Sequence, residues 1–176
     1  QGENWNERTR SPLTALGVEV REGDYLIELN GYEVTTDDNP YRFLENTAGK
    51  KITIKVNTRP SVEGARTYWI KPVSSELGLR YLDWVNSRRA MVDRLSNGRI
   101  AYIHVPNTAV EGNRELFKGL YAYSTKEAFI IDERYNGGGW SPGKMIEKLS
   151  QRPISYWHRR DLALRQEPTY AVTGPM

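Results

Sequence analysis

One stretch constrains this chain more than any other: Ala128-Phe129-Ile130-Ile131-Asp132-Glu133-Arg134-Tyr135-Asn136-Gly137-Gly138-Gly139-Trp140. Ala128 to Ile131 has the length and β-branching of a strand buried on both faces, and a charged triplet and then the glycines end it. Ser141 and Pro142 supply a helix N-cap and a first helical residue, and Met145, Ile146 and Leu149 recur behind them at helical spacing. The glycines therefore lie between a buried strand and a helix N-terminus.

Glycine has no Cβ, so backbone N–H groups in such a loop can converge on one spot beside a helix dipole and stabilise an anion there. The plainer alternative is a tight strand-to-helix connection with no chemistry. The spacing is not that of a dinucleotide fingerprint, and no Gly-Lys-Ser or Gly-Lys-Thr follows, which disfavours a phosphate-cradling loop.

Composition removes several classes of function. The 176 residues suffice for one ordinary domain or two small ones, and 38% are hydrophobic. The net charge of +3 comes from 25 basic and 22 acidic residues mixed along the chain, without the basic concentration of a nucleic-acid binder. The pairs Arg88-Arg89 and Arg159-Arg160 read as solvated faces. No apolar run approaches the roughly 18 residues of a membrane span, so no membrane partner is expected. Cysteine is absent, which excludes disulfides and thiolate chemistry, and two isolated histidines, His104 and His158, make no metal constellation. Gln1 opens the chain, and Val172-Thr173-Gly174-Pro175-Met176 reads like the approach to a further strand, so a piece of a longer protein is expected.

Along the chain, Ser11-Pro12-Leu13-Thr14 allows a single helical turn, and Tyr25 to Leu29 is an apolar strand ended by Asn30-Gly31, a hairpin or tight turn. Asp37-Asp38-Asn39-Pro40 caps a short helix through Tyr41, Phe43 and Leu44. Strands over Lys51 to Asn57 and Ala65 to Val73 flank a turn-rich Pro60 to Gly64. From Ser74 the spacing is helical, with Leu77, Tyr81, Trp84, Val85, Met91, Val92 and Leu95 on one stripe expected in a core, and Asn97-Gly98 as the stop. Arg99 to Pro106 reads as a strand, and Leu116, Phe117, Leu120 and Tyr121 mark a helix returning to the glycine-ended strand, an α/β unit with a parallel pair. Ligand sites in such sheets lie beyond the strands' carboxyl ends, where Gly137 to Gly139 fall.

Two resemblances follow from these residues. Gly23-Asp24-Tyr25-Leu26-Ile27-Glu28-Leu29-Asn30-Gly31, with the helix and strands behind it, resembles the signature of PDZ domains, although the usual carboxylate-binding loop and its strand do not precede it. Peptide capture by strand addition is not expected from so shortened a module. Together with Asn4-Trp5-Asn6, with Gly98-Arg99-Ile100-Ala101-Tyr102-Ile103-His104-Val105-Pro106 and with Ile130 to Gly139, this order is similar to the tricorn proteases within the tail-specific serine protease group.

The resemblance implies an α+β to α/β chain: a truncated PDZ-like, β-rich domain over 1–73, a linking helix over 74–98, and a partial crotonase-like protease core over 99–176. It implies peptide hydrolysis by a serine nucleophile and a histidine base, both lying outside these residues, and no cofactor or metal. Gly139 matches the oxyanion-hole glycine, and Gly137, Gly138, Trp140 and Trp157 are the candidate substrate-side residues. The pair Tyr156-Trp157 stands where archaeal relatives carry a tyrosine and then an acidic residue that favours basic P1 side chains. Tryptophan can stack on a cation but cannot neutralise it, so that preference is not expected here. His104 is expected to be structural, Asp132 and Arg134 to form an ion pair that orders the loop, and none of Ser124, Ser141, Ser150 and Ser155 to act as nucleophile. Peptide substrates and a homo-oligomeric parent are the implied partners, in the cytoplasm or, as the alternative, the periplasm. Two other readings stay open: a noncatalytic PDZ-containing scaffold, and a small crotonase-type acyl-thioester enzyme, which leaves the PDZ-like part unexplained.

Overall fold

The computed structural model describes residues 9–175, so Asn4-Trp5-Asn6 lies outside the described residues. The chain is a mixed α and β structure that divides into two compact units, Gln1–Trp84 and Val85–Met176.

The first unit holds an antiparallel sheet of β1 (Tyr25–Leu29), β2 (Tyr32–Glu33), β3 (Ile52–Asn57) and β4 (Arg66–Ile70), in the order β2-β1-β3-β4. Asn30 at φ 54° and Gly31 at φ 85° place Leu29 opposite Tyr32, a two-residue hairpin of the kind that needs positive φ at both turn positions. Alternation along β3 sends Ile52, Ile54 and Val56 into a core with Leu29 and Ile70, against which Val20, Val34, Phe43 and Leu44 pack. Phe43 and Leu44 lie on a 3-10 helix over Pro40–Leu44, where the side chain of Asn39 accepts from the Tyr41 N–H at 3.1 Å. A second 3-10 turn covers Pro12–Thr14. Asp24, with its carboxylate buried, takes the guanidinium of Arg66 at 2.7 Å.

Helix α1 (Leu77–Leu95) runs through the division between the units. Val85 is its one buried residue, while Leu77, Tyr81, Met91 and Leu95 stay exposed. The expectation that this stripe is core is corrected: helical period reports a common face, not what covers that face.

The second unit is built on two parallel strands, β5 (Ile100–His104) and β6 (Ala128–Asp132), with α2 (Val110–Ala122) as the crossover. Leu116 and Leu120 of α2 are sealed against Ala101, Ile103, Val105 and Phe129, and Met145 and Val172 complete the core. The strand buried on both faces is β5, where Ala101 through Val105 are all buried. β6 differs from expectation, because Ile130 is 42% exposed on the face opposite Phe129. Both strands share one helix-covered face, and only β5 has its other face filled, by the polar bonds of Tyr102 and His104. Helix α3 (Pro142–Leu149) follows the glycines, with Met145 inward and Ile146 outward. A small antiparallel pair, β7 (Ser155–Trp157) and β8 (Arg165–Glu167), comes next. The chain then returns beside β6, where the Phe129 N–H donates to Pro175 O at 3.1 Å. No helix among the described residues is long and apolar enough to cross a membrane.

Candidate oxyanion loop

Parallel pairing in register, with Ile100 opposite Ala128 and His104 opposite Asp132, brings both strands to an end at the same edge. The segments leaving that edge, 105–109 and 133–141, are laced together. Gly137 N–H donates to Pro106 O at 3.0 Å, Thr108 N–H to Gly138 O at 2.9 Å, and Ser141 N–H to Thr108 O at 2.9 Å. Asn136 spans the gap, donating from Nδ2 to Val105 O at 3.3 Å and accepting from the Gly138 N–H at 2.7 Å.

In this lattice of bonds the Gly139 N–H has no acceptor among the described residues. The three glycines differ in what they require. A Cβ at Gly137 would have only Pro106 O at 4.0 Å, an ordinary contact. Gly138 adopts φ 80°, favoured by glycine, with open space around it. Gly139 combines φ 146° with a close approach: a Cβ there would stand 2.5 Å from the carbonyl carbon and oxygen of Thr108 and 2.8 Å from the Ala109 nitrogen. Only glycine fits that position without moving backbone.

Ser141 occupies the N-cap position of α3, but its side chain makes no capping bond, which corrects the expected capping role. Its hydroxyl donates to Thr108 O at 2.6 Å and accepts from Asn113 Nδ2 at 2.5 Å, tying the loop to the first turn of α2. Asn107 completes the joint, its Oδ1 accepting from the N–H groups of Ala109 and Gly112, both at 3.0 Å. The sequence reading passed over Asn107 and Asn113; an asparagine just before an apolar helical period was the available signal for the first. No sequence spacing announces the second.

Below the loop, Asp132 is buried and holds Arg134 through its side chain, with Nε at 2.9 Å from Oδ1 and the terminal nitrogen at 2.5 Å from Oδ2. It also accepts from the Arg134 N–H at 3.0 Å and from the Tyr102 hydroxyl at 2.7 Å. The Arg134 hydrogen bonds hold the Asp132 carboxyl well below the usual carboxylate range, against the opposing effect of burial. Burial first, and then the bond to Asp132, push the Tyr102 hydroxyl up to about 12. His104 is buried, with Nε2 2.8 Å from Arg134 O, in the structural position expected of it. The ion pair thus fixes the entrance of the loop.

Trp140 is 95% exposed, so it walls no core. Trp157 lies apart from the glycines in the chain, on the β7-β8 hairpin, and the Arg159 guanidinium stacks over its ring at 5.2 Å from the centroid. No group of three or more His, Asp or Glu residues that could hold a metal ion occurs among the described residues.

Residues 1–75 match the family model described as the tricorn protease PDZ domain. Tricorn protease homolog 1 of Streptomyces coelicolor is 35% identical over 168 residues, covering 95% of this chain and 16% of that protein. Tricorn protease of Thermoplasma acidophilum is 32% identical over 174 residues, covering 98% of this chain and 16% of that protein. The chain is homologous to tricorn proteases. A crystal structure of the tricorn protease superposes with a TM-score of 0.85 at 31% identity, over 98% of this chain and 17% of that one. Tricorn similarity therefore runs through both units, the glycine loop included, while the chain spans about a sixth of the length of these relatives.

Proposed function

We propose that this chain is the part of a tricorn-like serine peptidase that carries a PDZ-like module over 1–73, a connecting helix over 74–98, and a crotonase-like core segment from 99 onward with the oxyanion loop. The observation that carries the reading is the Gly139 N–H, left without an acceptor at the carboxyl edge of a parallel pair and held by a backbone that admits no Cβ. In the reaction a serine hydroxyl, supplied elsewhere in the longer protein, attacks a peptide carbonyl carbon. Its proton passes to a histidine, and the carbonyl π electrons move onto oxygen. A donor preorganised at that oxygen lowers the barrier, since removing one such donor costs roughly 10²- to 10³-fold in rate. Gly137 and Gly138 shape the approach, and the exposed Trp140 and Trp157 form part of the peptide-side wall. The arginine already stacked on Trp157 adds positive charge there, which argues against a preference for basic P1 side chains. The chain alone, with neither nucleophile nor base, does not cleave peptides. The parent acts as a homo-oligomer in the cytoplasm.

A crystal structure of the intact protein inhibited by a peptide chloromethyl ketone tests this. The trapped oxygen is expected within hydrogen-bond distance of the Gly139 nitrogen. An oxygen directed elsewhere removes the assignment and leaves a PDZ-containing scaffold as the better description.

A further inference from the structure

Away from the glycine loop, the second unit contains a cavity of about 320 Å³ lined by Asn86, Arg89 and Ala90 of α1, Ile100 and Tyr102 of β5, and Tyr123. That volume is at the lower end of small-molecule sites. Arg89 is its unusual member. The guanidinium donates from one terminal nitrogen to Asn86 Oδ1 at 3.0 Å, but its Nε is sealed from solvent and has no acceptor among the described residues.

The carboxylate one turn further along α1, Asp93, does not serve it. Asp93 pairs with Lys126 at 3.1 Å, and Lys126 also donates to the Gly98 carbonyl. Lys126 is thereby neutralised while Arg89 is not. A buried donor on a charged group without an acceptor carries its full desolvation cost, and a bound anion would remove that cost. The Arg89 fork suits a planar carboxylate. Beside it, Ala90, Ile100 and the Tyr123 ring offer an apolar wall rather than the additional donors that a phosphate would use.

We infer that this cavity is a binding site for a carboxylate with an apolar or aromatic body, held by Arg89 on the charged end and by Tyr123 and Ile100 on the other. A free acid and the C-terminus of a peptide share that chemistry. The site is separate from the proposed oxyanion loop and stands whether or not that reading does.

Titration of the 176-residue chain with N-acetyl-L-phenylalanine, followed by ¹H–¹⁵N NMR including the arginine Nε–H region, tests the site. N-acetyl-L-phenylalanine should shift the Arg89 Nε–H and the Tyr123 amide, with N-acetyl-L-phenylalaninamide and acetate each binding at least about tenfold more weakly. Replacing the amino acid by the tripeptide Ala-Ala-Phe distinguishes the two sources: tighter binding of the tripeptide assigns the site to peptide C-termini, and weaker binding assigns it to small free acids. Arg89→Met should abolish the preference for acid over amide while leaving the weak amide binding in place, which also shows that the cavity still forms, and Arg89→Lys should restore part of the preference. Equal binding of acid and amide, acetate binding as tightly as N-acetyl-L-phenylalanine, or no shift up to about 10 mM would each overturn the inference.

Discussion

Two glycine turns, one in each unit, use the same residue for different reasons. At Asn30-Gly31 the positive φ angles match the twist of a hairpin, and a Cβ on Gly31 would meet nothing within 4 Å. At Gly139 the conformation also favours glycine, but the stronger constraint is space, because the backbone of Thr108 and Ala109 already occupies the volume of a side chain. The first turn closes its own ladder. The second spends its neighbours' hydrogen bonds on holding a donor open. A glycine required by conformation marks a bend; one required by space marks a place where backbone must come close to something.

Substitutions can break that contrast. Gly139→Ala should have the largest effect, about 3 kcal/mol lost in urea denaturation of the chain, since it combines a disfavoured φ with backbone overlap. A loss below about 1 kcal/mol would show that the loop relaxes freely, and the contrast would collapse. Asp132→Asn should cost about 2 kcal/mol, mostly through the Tyr102 bond, because Arg134 is largely solvent-exposed. The folded Asp132 carboxyl is depressed, so the unfolded chain binds more protons below about pH 4. Stability from this group is therefore full above that pH and fades as pH falls. The gap between parent and variant should narrow in acid, and a constant gap would contradict the assignment.

Ser141→Ala should cost about 1.5 kcal/mol and raise amide exchange at the start of α3, because Thr108 O and Asn113 Nδ2 both lose a partner. Gly31→Ala should cost about 1 kcal/mol by thermal melting, the conformational part alone. Gly137→Ala, with neither a left-handed φ nor a close neighbour, should stay within about 0.5 kcal/mol.

Much of the fold was legible where the signal is local. The hairpin followed from Asn30-Gly31, the alternation of Ile52, Ile54 and Val56 gave a strand, and the parallel pair followed from two apolar runs separated by a helical period. What escaped depends on partners distant in the chain. The Ser141 hydroxyl finds Thr108 across 33 positions, which no capping rule encodes. The exposure of Ile130 and of the α1 stripe reflects which faces are covered, information that periodicity lacks. The β7-β8 hairpin escaped because three-residue strands leave almost no pattern. The unbonded Gly139 amide was inferable as a candidate from the glycine run. That its neighbours on both sides would be bonded was not.

The joint between Thr108, Asn113 and Ser141 ties catalytic precision to packing. The carbonyl of Thr108 takes both the N–H and the hydroxyl of Ser141, so the glycine loop rides on the first turn of α2, whose seating depends on Leu116 and Leu120. A misplacement of about 1 Å can slow an enzyme roughly a hundredfold. In a peptidase of the proposed kind, a trimmed leucine far from the scissile bond would therefore register in turnover at temperatures well short of melting.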